Sequence, residues 1–199
     1  MTDHSYYRRE ELAEMGFRSL GQDVKISRTA RLYSPASIAI GDHSMVDDFC
    51  VLMGQLDIGR NVHIAHGCRV MAGRDGIRMQ DFCGLAFGVT IFAQSDDYSG
   101  ATLTNPTVPK AMRDIRRGAV EIGRHVIVGA HAMVFPGVIL GEGGAIGAGS
   151  VVKRSTEPWS IYAGSPARRV RERLRDLLAL EREYLREGLH NPVSGALQG

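Results

Sequence analysis

The sequence predicts a mainly β protein, built as a solenoid of short strands, and two observations carry that prediction. First, aliphatic residues recur at every sixth position. In EIGRHVIVGAHAMVFPGVILGEGGAIGAGSVV they are Ile122, Val128, Val134, Leu140, Ile146 and Val152, and upstream they are Ile40, Val46, Leu52, Ile58, Ile64 and Val70. A period of six is neither the 3.6 of an α-helix nor the plain alternation of a strand. Second, glycine supplies 24 of 199 residues, well above the usual ~7%, which suits tight turns repeated many times. One large inward residue, followed by a smaller one four places on, describes a short strand and a bend. Three such units close a triangular coil. No unit buries its anchor alone, so stability requires stacked coils.

The elements follow in chain order. Residues 1–20 form an N-terminal segment with a short helix over about Tyr6–Met15, stopped at Gly16. The solenoid occupies 21–168, with an irregular first turn at Ile26 and Leu32. Its second inner positions hold small or medium residues such as Ser44, Leu56, Val62, Val126, Ala132, Val138, Gly144 and Ser150. A three-residue slip around Ala72–Asp75 resets the register to Met79, Leu85 and Ile91. Cys50, Cys68 and Cys83 all fall on second inner positions and are read as packing, since buried thiols are usually inert. Between Ile91 and Ile122 the register disappears, which leaves an external loop over 93–118. A long polar excursion from a regular scaffold is more often functional than accidental. Residues 169–199 are a C-terminal helix and tail: Val170, Leu174, Leu177, Leu178 and Leu185 recur at helical spacing, and NPVSGALQG reads as frayed.

Composition excludes several classes. The net charge is +2, from 24 basic and 22 acidic residues, which gives no global field for nucleic acid. No run of about 18 apolar residues exists to span a bilayer. The start, MTDHSYYRREELAEMGF, lacks an apolar signal core. A soluble cytoplasmic protein is expected.

These residues resemble the hexapeptide-repeat acyltransferases, a family of left-handed parallel β-helices, over about Ile26–Val170. The likeness rests on the IG-x4-V/I-x-G repeats, the single external loop and the closing IYAGSPARRV. The chain looks most similar to bacterial sugar O- and N-acetyltransferases, including those of surface-polysaccharide biosynthesis. The resemblance implies acetyl-CoA as donor and no metal. It also implies a homotrimer with active sites between subunits. By the same resemblance Gly129, Ala130, Gly147 and Ala148 line the path of the pantetheine arm, and Ala163, Gly164 and Pro166 match the terminal coenzyme-binding turn. Arg168 and Arg169 then lie near the coenzyme phosphates, where charge-assisted hydrogen bonds form readily.

Acetyl transfer from a thioester needs a nucleophile with a free lone pair, a proton acceptor and oxyanion stabilisation. Many sugar O-acetyltransferases of the family carry a loop histidine. Here the matching stretch is Gln94-Ser95-Asp96-Asp97-Tyr98-Ser99-Gly100, and the loop contains no histidine. A carboxylate suits a sugar ammonium better than a hydroxyl, so Asp96 and Asp97 point to an amino group on a nucleotide-linked sugar. Tyr98 is a candidate to stack on the acceptor. His63, which precedes the anchor Ile64, is the leading alternative base. His66, and His125 at a later outward position, are candidates to line the acceptor pocket. The competing readings are a hydroxyl acceptor, a zinc carbonic-anhydrase-like enzyme and a non-catalytic solenoid. Against zinc, the spacings His63-x2-His66 and His125-x5-His131 do not supply the family's histidine pattern.

Overall fold

The computed structural model describes residues 5–187; the tail stretch NPVSGALQG lies outside the described residues. The chain winds as a parallel β-solenoid with three walls. One wall is an eight-stranded sheet. It stacks Lys25–Ile26, Met45–Val46, His63–Ile64, Gly84–Leu85, Ile127–Val128, Ala145–Ile146 and Ser160–Ala163 in parallel, then closes with Arg168–Glu172. The other two walls join in a ten-stranded sheet, because Val51–Ile58 and Arg69–Met79 run unbroken through the corner between them.

The sixfold anchors all point inward. Ile26, Leu52, Ile64, Val70, Leu85, Ile91, Ile122, Val128 and Val134 are at most 1% exposed. Burying each such side chain contributes roughly 1.5–3 kcal/mol. Cys50, Cys68 and Cys83 are free thiols inside the same column. Burial dominates for Cys83 and pushes its thiol up to about 12, as expected of inert packing.

Stacked partners report each interruption of the repeat. Val46 faces Ile64, eighteen residues on, whereas Ile64 faces Leu85 after 21. The additional three residues bulge at the corner where Gly54 pairs with Gly73 and Leu56 with Ile77. Glycine is required there: a Cβ on Gly54 would lie 2.5 Å from the Gly73 carbonyl oxygen. Leu85 then faces Val128 across the external loop. Within that loop Gln94–Asp96 pairs antiparallel with Ile115–Arg117, forming a hairpin base.

Two helices flank the solenoid. The first, α1, spans Arg9–Glu14, shorter than the predicted segment, with Gly16 at φ +69° just beyond its end. It seats Leu12 in the core. The second, α2, spans Leu177–Glu187 and corrects the sequence reading, which began a helix near residue 169. Arg168–Glu172 is instead an antiparallel strand on Ser160–Ala163. Edge pairing there gives the backbone groups partners, and Val170 and Leu174 stay 60% and 75% exposed. Docking of α2 is polar and aromatic. The Glu181 carboxylate accepts from Arg124 and lies 3.1 Å from His125 Nε2. Asn61 Nδ2 donates to the Tyr184 hydroxyl at 2.9 Å, and the Tyr184 ring meets Phe82 edge-on.

Ahead of α2, Arg173 Nη1 donates to three carbonyls: His125 at 2.8 Å, Gly143 at 3.0 Å and Gly144 at 3.2 Å. Arg173→Ala strands these acceptors. It is expected to cost about 1–3 kcal/mol, a Tm drop of roughly 2–4 °C per kcal/mol in a thermal melt.

Candidate active site

One corner of the solenoid gathers most of the candidate residues. Along it the position just after each anchor is occupied in turn by Asp47, Ala65, Ala86, Gly129 and Gly147. Their amides donate to the next coil's carbonyls, for example Asp47 to Ile64 at 2.9 Å and Gly129 to Ile146 at 2.7 Å. Asp48, His66, Phe87 and Ala130 stack beside them, since Gly67, Gly88, His131 and Gly149 donate to their respective carbonyls. A single edge therefore carries small residues on its upper coils and a polar cluster on its lower ones.

The upper end is lined by small residues. Ala148, Ala163, Gly164 and Pro166 are exposed, and Ala130 is half-buried. The Ala163–Arg168 turn is clipped to the corner, with the Gly164 amide donating to Ser150 Oγ at 3.1 Å and the Ala167 amide to the Val151 carbonyl at 2.9 Å. Stacking alone already demands the small residues here. A Cβ on Gly129 would lie 2.5 Å from the Ala148 amide, and one on Gly147 would lie 3.0 Å from the Ala163 Cβ. The two arginines differ. Arg169 is committed to Ser160 Oγ and Glu157, both at 3.2 Å. Arg168 is exposed and makes a 3.1 Å hydrogen bond to the Ala167 carbonyl.

The lower end is a cluster around a carboxylate that the sequence reading missed. The Asp47 side chain is 3% exposed, and its Oδ2 lies 2.8 Å from His63 Nε2 and 3.2 Å from His66 Nδ1. The Tyr6 hydroxyl donates to Oδ1 at 3.3 Å. The hydrogen bond to Asp47 holds His63 above its ordinary value, outweighing partial burial. The His66 ring leans on Phe87, with centroids 5.7 Å apart. A signal for Asp47 did exist: it is the one acid in a column otherwise filled by serine, alanine and glycine.

His125 does not join this group. It sits at another corner, 7% exposed beneath α2, stacked on Phe82 at 5.3 Å and paired with Glu181. Its contacts hold the helix.

The loop residues are also apart, because the loop leaves from the far end of the wall that starts at Phe87. Asp97 is 7% exposed, and its carboxylate accepts from the Ser99 hydroxyl at 2.7 Å and the Ser99 amide at 2.9 Å. These bonds, the hydroxyl first, hold it below the usual carboxylate range and make it a turn staple. Asp96 Oδ2 accepts from the Asn105 amide at 3.3 Å. Tyr98 is 89% exposed.

A surface depression of ≈ 680 Å³ lies on a different wall, lined by Asp57, Arg78, Gln80, Asp81 and Arg124 among others. Its lining is strongly charged and carries none of the candidate residues. Among the described residues no group of three or more histidines, cysteines or acids is arranged to hold a metal, and no helix is long and apolar enough to cross a membrane.

Comparison with known proteins gives the following likenesses. The chain is 41% identical over 174 residues to a dTDP-4-amino-4,6-dideoxy-D-glucose acyltransferase from Escherichia coli, covering 86% of this chain and 90% of that one. It is 40% identical to AntD, an N-acyltransferase from Bacillus cereus solved with dTDP and 3-hydroxybutyryl-CoA. The TM-score is 0.90, over 94% of this chain and 99% of that one. A serine-to-cysteine variant of AntD, solved with dTDP-4-amino-4,6-dideoxyglucose and Coenzyme A, is 42% identical with a TM-score of 0.91, over 93% and 99% of the two chains. No family model matches the sequence.

Proposed function

The chain belongs to the hexapeptide-repeat acyltransferases, enzymes built on a left-handed parallel β-helix, and from that membership we propose its reaction: transfer of an acetyl group from acetyl-CoA to the amino group of a nucleotide-linked amino sugar. The observation that carries this is the single corner on which the coenzyme edge stands above His63 and His66. Ile127, on the strand that opens into Gly129, is stacked two coils above His63 through Gly84, or about 10 Å at the usual strand spacing. A linear donor laid along the upper edge brings its thioester down towards the imidazoles. The relatives' acceptor, a dTDP-linked 4-amino-4,6-dideoxyhexose, supports the choice of an amine.

His63 is the base in this reading, with His66 beside it lining the acceptor pocket. Asp96 orients the acceptor's amino group, and Tyr98 packs on the acceptor. Within one chain the loop and His63 stand at opposite ends of a wall. That separation supports a homotrimer, in which one copy's loop covers the next copy's corner. The family resemblance supports a cytoplasmic enzyme of surface-polysaccharide biosynthesis.

The test is coenzyme A thiol release, using acetyl-CoA and 3-hydroxybutyryl-CoA against dTDP-4-amino-4,6-dideoxyglucose and its 4-hydroxy counterpart. Turnover of the amine alone, with acetyl-CoA, is expected. Turnover of the hydroxyl alone overturns the reading. For the donor end, Arg168→Ala is expected to raise KM for acetyl-CoA about tenfold, the scale of one hydrogen bond to a charged group, with kcat and Tm unchanged. Unchanged KM would remove Arg168 from the coenzyme site.

A further inference from the structure

We propose that Asp47 is a positioning residue for this reaction: its buried carboxylate fixes His63 as the Nε2–H tautomer and so leaves Nδ1 as the nitrogen that takes the acceptor's proton. The proposal rests on the acyl-transfer reading above and deepens it.

Packing gives no reason for an acid at this place. The equivalent positions on the next four coils hold Ala65, Ala86, Gly129 and Gly147, while Asp47 is buried to 3%. Burying a carboxylate is costly unless it is hydrogen-bonded and paired. Here the hydrogen-bond partners are the His63 imidazole and the Tyr6 hydroxyl, drawn from separate segments, with His66 Nδ1 3.2 Å away. An ionised carboxylate only accepts hydrogen bonds, so the nitrogen 2.8 Å from Oδ2 must carry the proton. The neutral His63 ring then has its lone pair on Nδ1.

A comparison inside the molecule sharpens the point. His125 and Glu181 form a second imidazole–carboxylate pair, but both side chains are under 10% exposed beneath α2, whereas the His63 side chain is 53% exposed. Of these two pairs, the Asp47–His63 one is open to a substrate.

The proton inventory closes. The neutral amine attacks the thioester carbonyl, forming the C–N bond, and passes one proton to His63 Nδ1. Collapse of the tetrahedral intermediate breaks the C–S bond. The departing thiolate takes the proton from the imidazolium, releasing the amide and coenzyme A and restoring neutral His63.

The titratable groups facing His63 are Asp47 from the preceding coil's corner, with Cys50 beyond it, and His66 and Asp48 flanking the shared carboxylate. Tyr6 reaches Asp47 from the N-terminal segment. The flanking strand residues, Met45 and Gly84, carry no charge. The hydrogen bond to Asp47 holds His63 above its ordinary value. The base is the neutral form, so activity is lost as pH falls through that raised value.

The experiment is the pH profile of kcat/KM for wild type, Asp47→Asn, His63→Gln and the double variant, with Tm recorded for each. Asp47→Asn is expected to move the acidic limb to lower pH and to lower the plateau roughly 10²-fold, by analogy with losing an orienting partner of a catalytic histidine. In the His63→Gln background the same change should cost under about twofold, since residues acting as a unit are non-additive. An unmoved limb with a full plateau overturns the proposal. So does an equal loss in both backgrounds, which marks a purely structural role. Nitrogen NMR of the His63 ring supplies a readout independent of turnover: one Nε2–H tautomer in wild type and a mixture in Asp47→Asn. A single unchanged tautomer in the variant also overturns it. If wild type turns over no amino sugar at all, the acyl-transfer reading itself has failed, and the NMR result still decides the tautomer.

Discussion

His63→Gln is expected to lower kcat/KM for the amino-sugar acceptor roughly 10²–10³-fold, the lower part of the usual range for a lost general base. At 1.36 kcal/mol per tenfold, that is about 2.7–4.1 kcal/mol of transition-state stabilisation. Glutamine is the informative replacement because its amide NH2 still donates to Asp47, so the buried carboxylate keeps a partner. The His63 side chain is 53% exposed, and surface changes of this kind shift stability by about 0.5 kcal/mol or less. Initial rates at saturating acetyl-CoA, read beside a thermal melt, separate the two effects. The loss should lie in kcat, with Tm and KM for the donor unchanged. Full turnover in this variant would return the base role to the loop carboxylates, Asp96 first.

Gly129→Ala is expected to have the largest effect on the scaffold. The added Cβ would lie 2.5 Å from the Ala148 amide nitrogen and 2.8 Å from the Ile146 carbonyl oxygen. Both obstacles are backbone, held by the 2.7 Å hydrogen bond from the Gly129 amide to Ile146. No side chain can rotate aside, so two coils must part. Overpacking of this kind costs about 1–3 kcal/mol, a Tm loss of roughly 2–4 °C per kcal/mol. Since Gly129 also lies on the coenzyme edge, KM for acetyl-CoA should rise with the same substitution. Gly84→Ala is the control: a Cβ there meets nothing within 4 Å, and Tm should hold. Equal melting of the two variants would show that coil stacking does not set the demand for glycine at 129.

The scaffold was legible because its signal is local and repeated. Each anchor reports its own burial, and a three-residue slip shows wherever it occurs. The C-terminal region was read less well for a related reason. Val170 and Leu174 have helical spacing, but pairing with the last coil's free edge claimed 168–172 first, and spacing alone contains no term for an available strand edge.

Sequence by itself determined the solenoid, the inward cysteines, the loop's place and the small-residue edge, because all of these are properties of a residue's position within a six-residue unit. Only the tertiary structure decided which outward residues meet. The following coil and the N-terminal segment converge on Asp47, joining residues as far apart as Tyr6 and His66. His125, also outward in the six-residue repeat, is instead sealed under α2 by Glu181, 56 residues downstream. Outward residues on different coils are brought together by stacking and by docked segments, and a sixfold period carries no information about either contact.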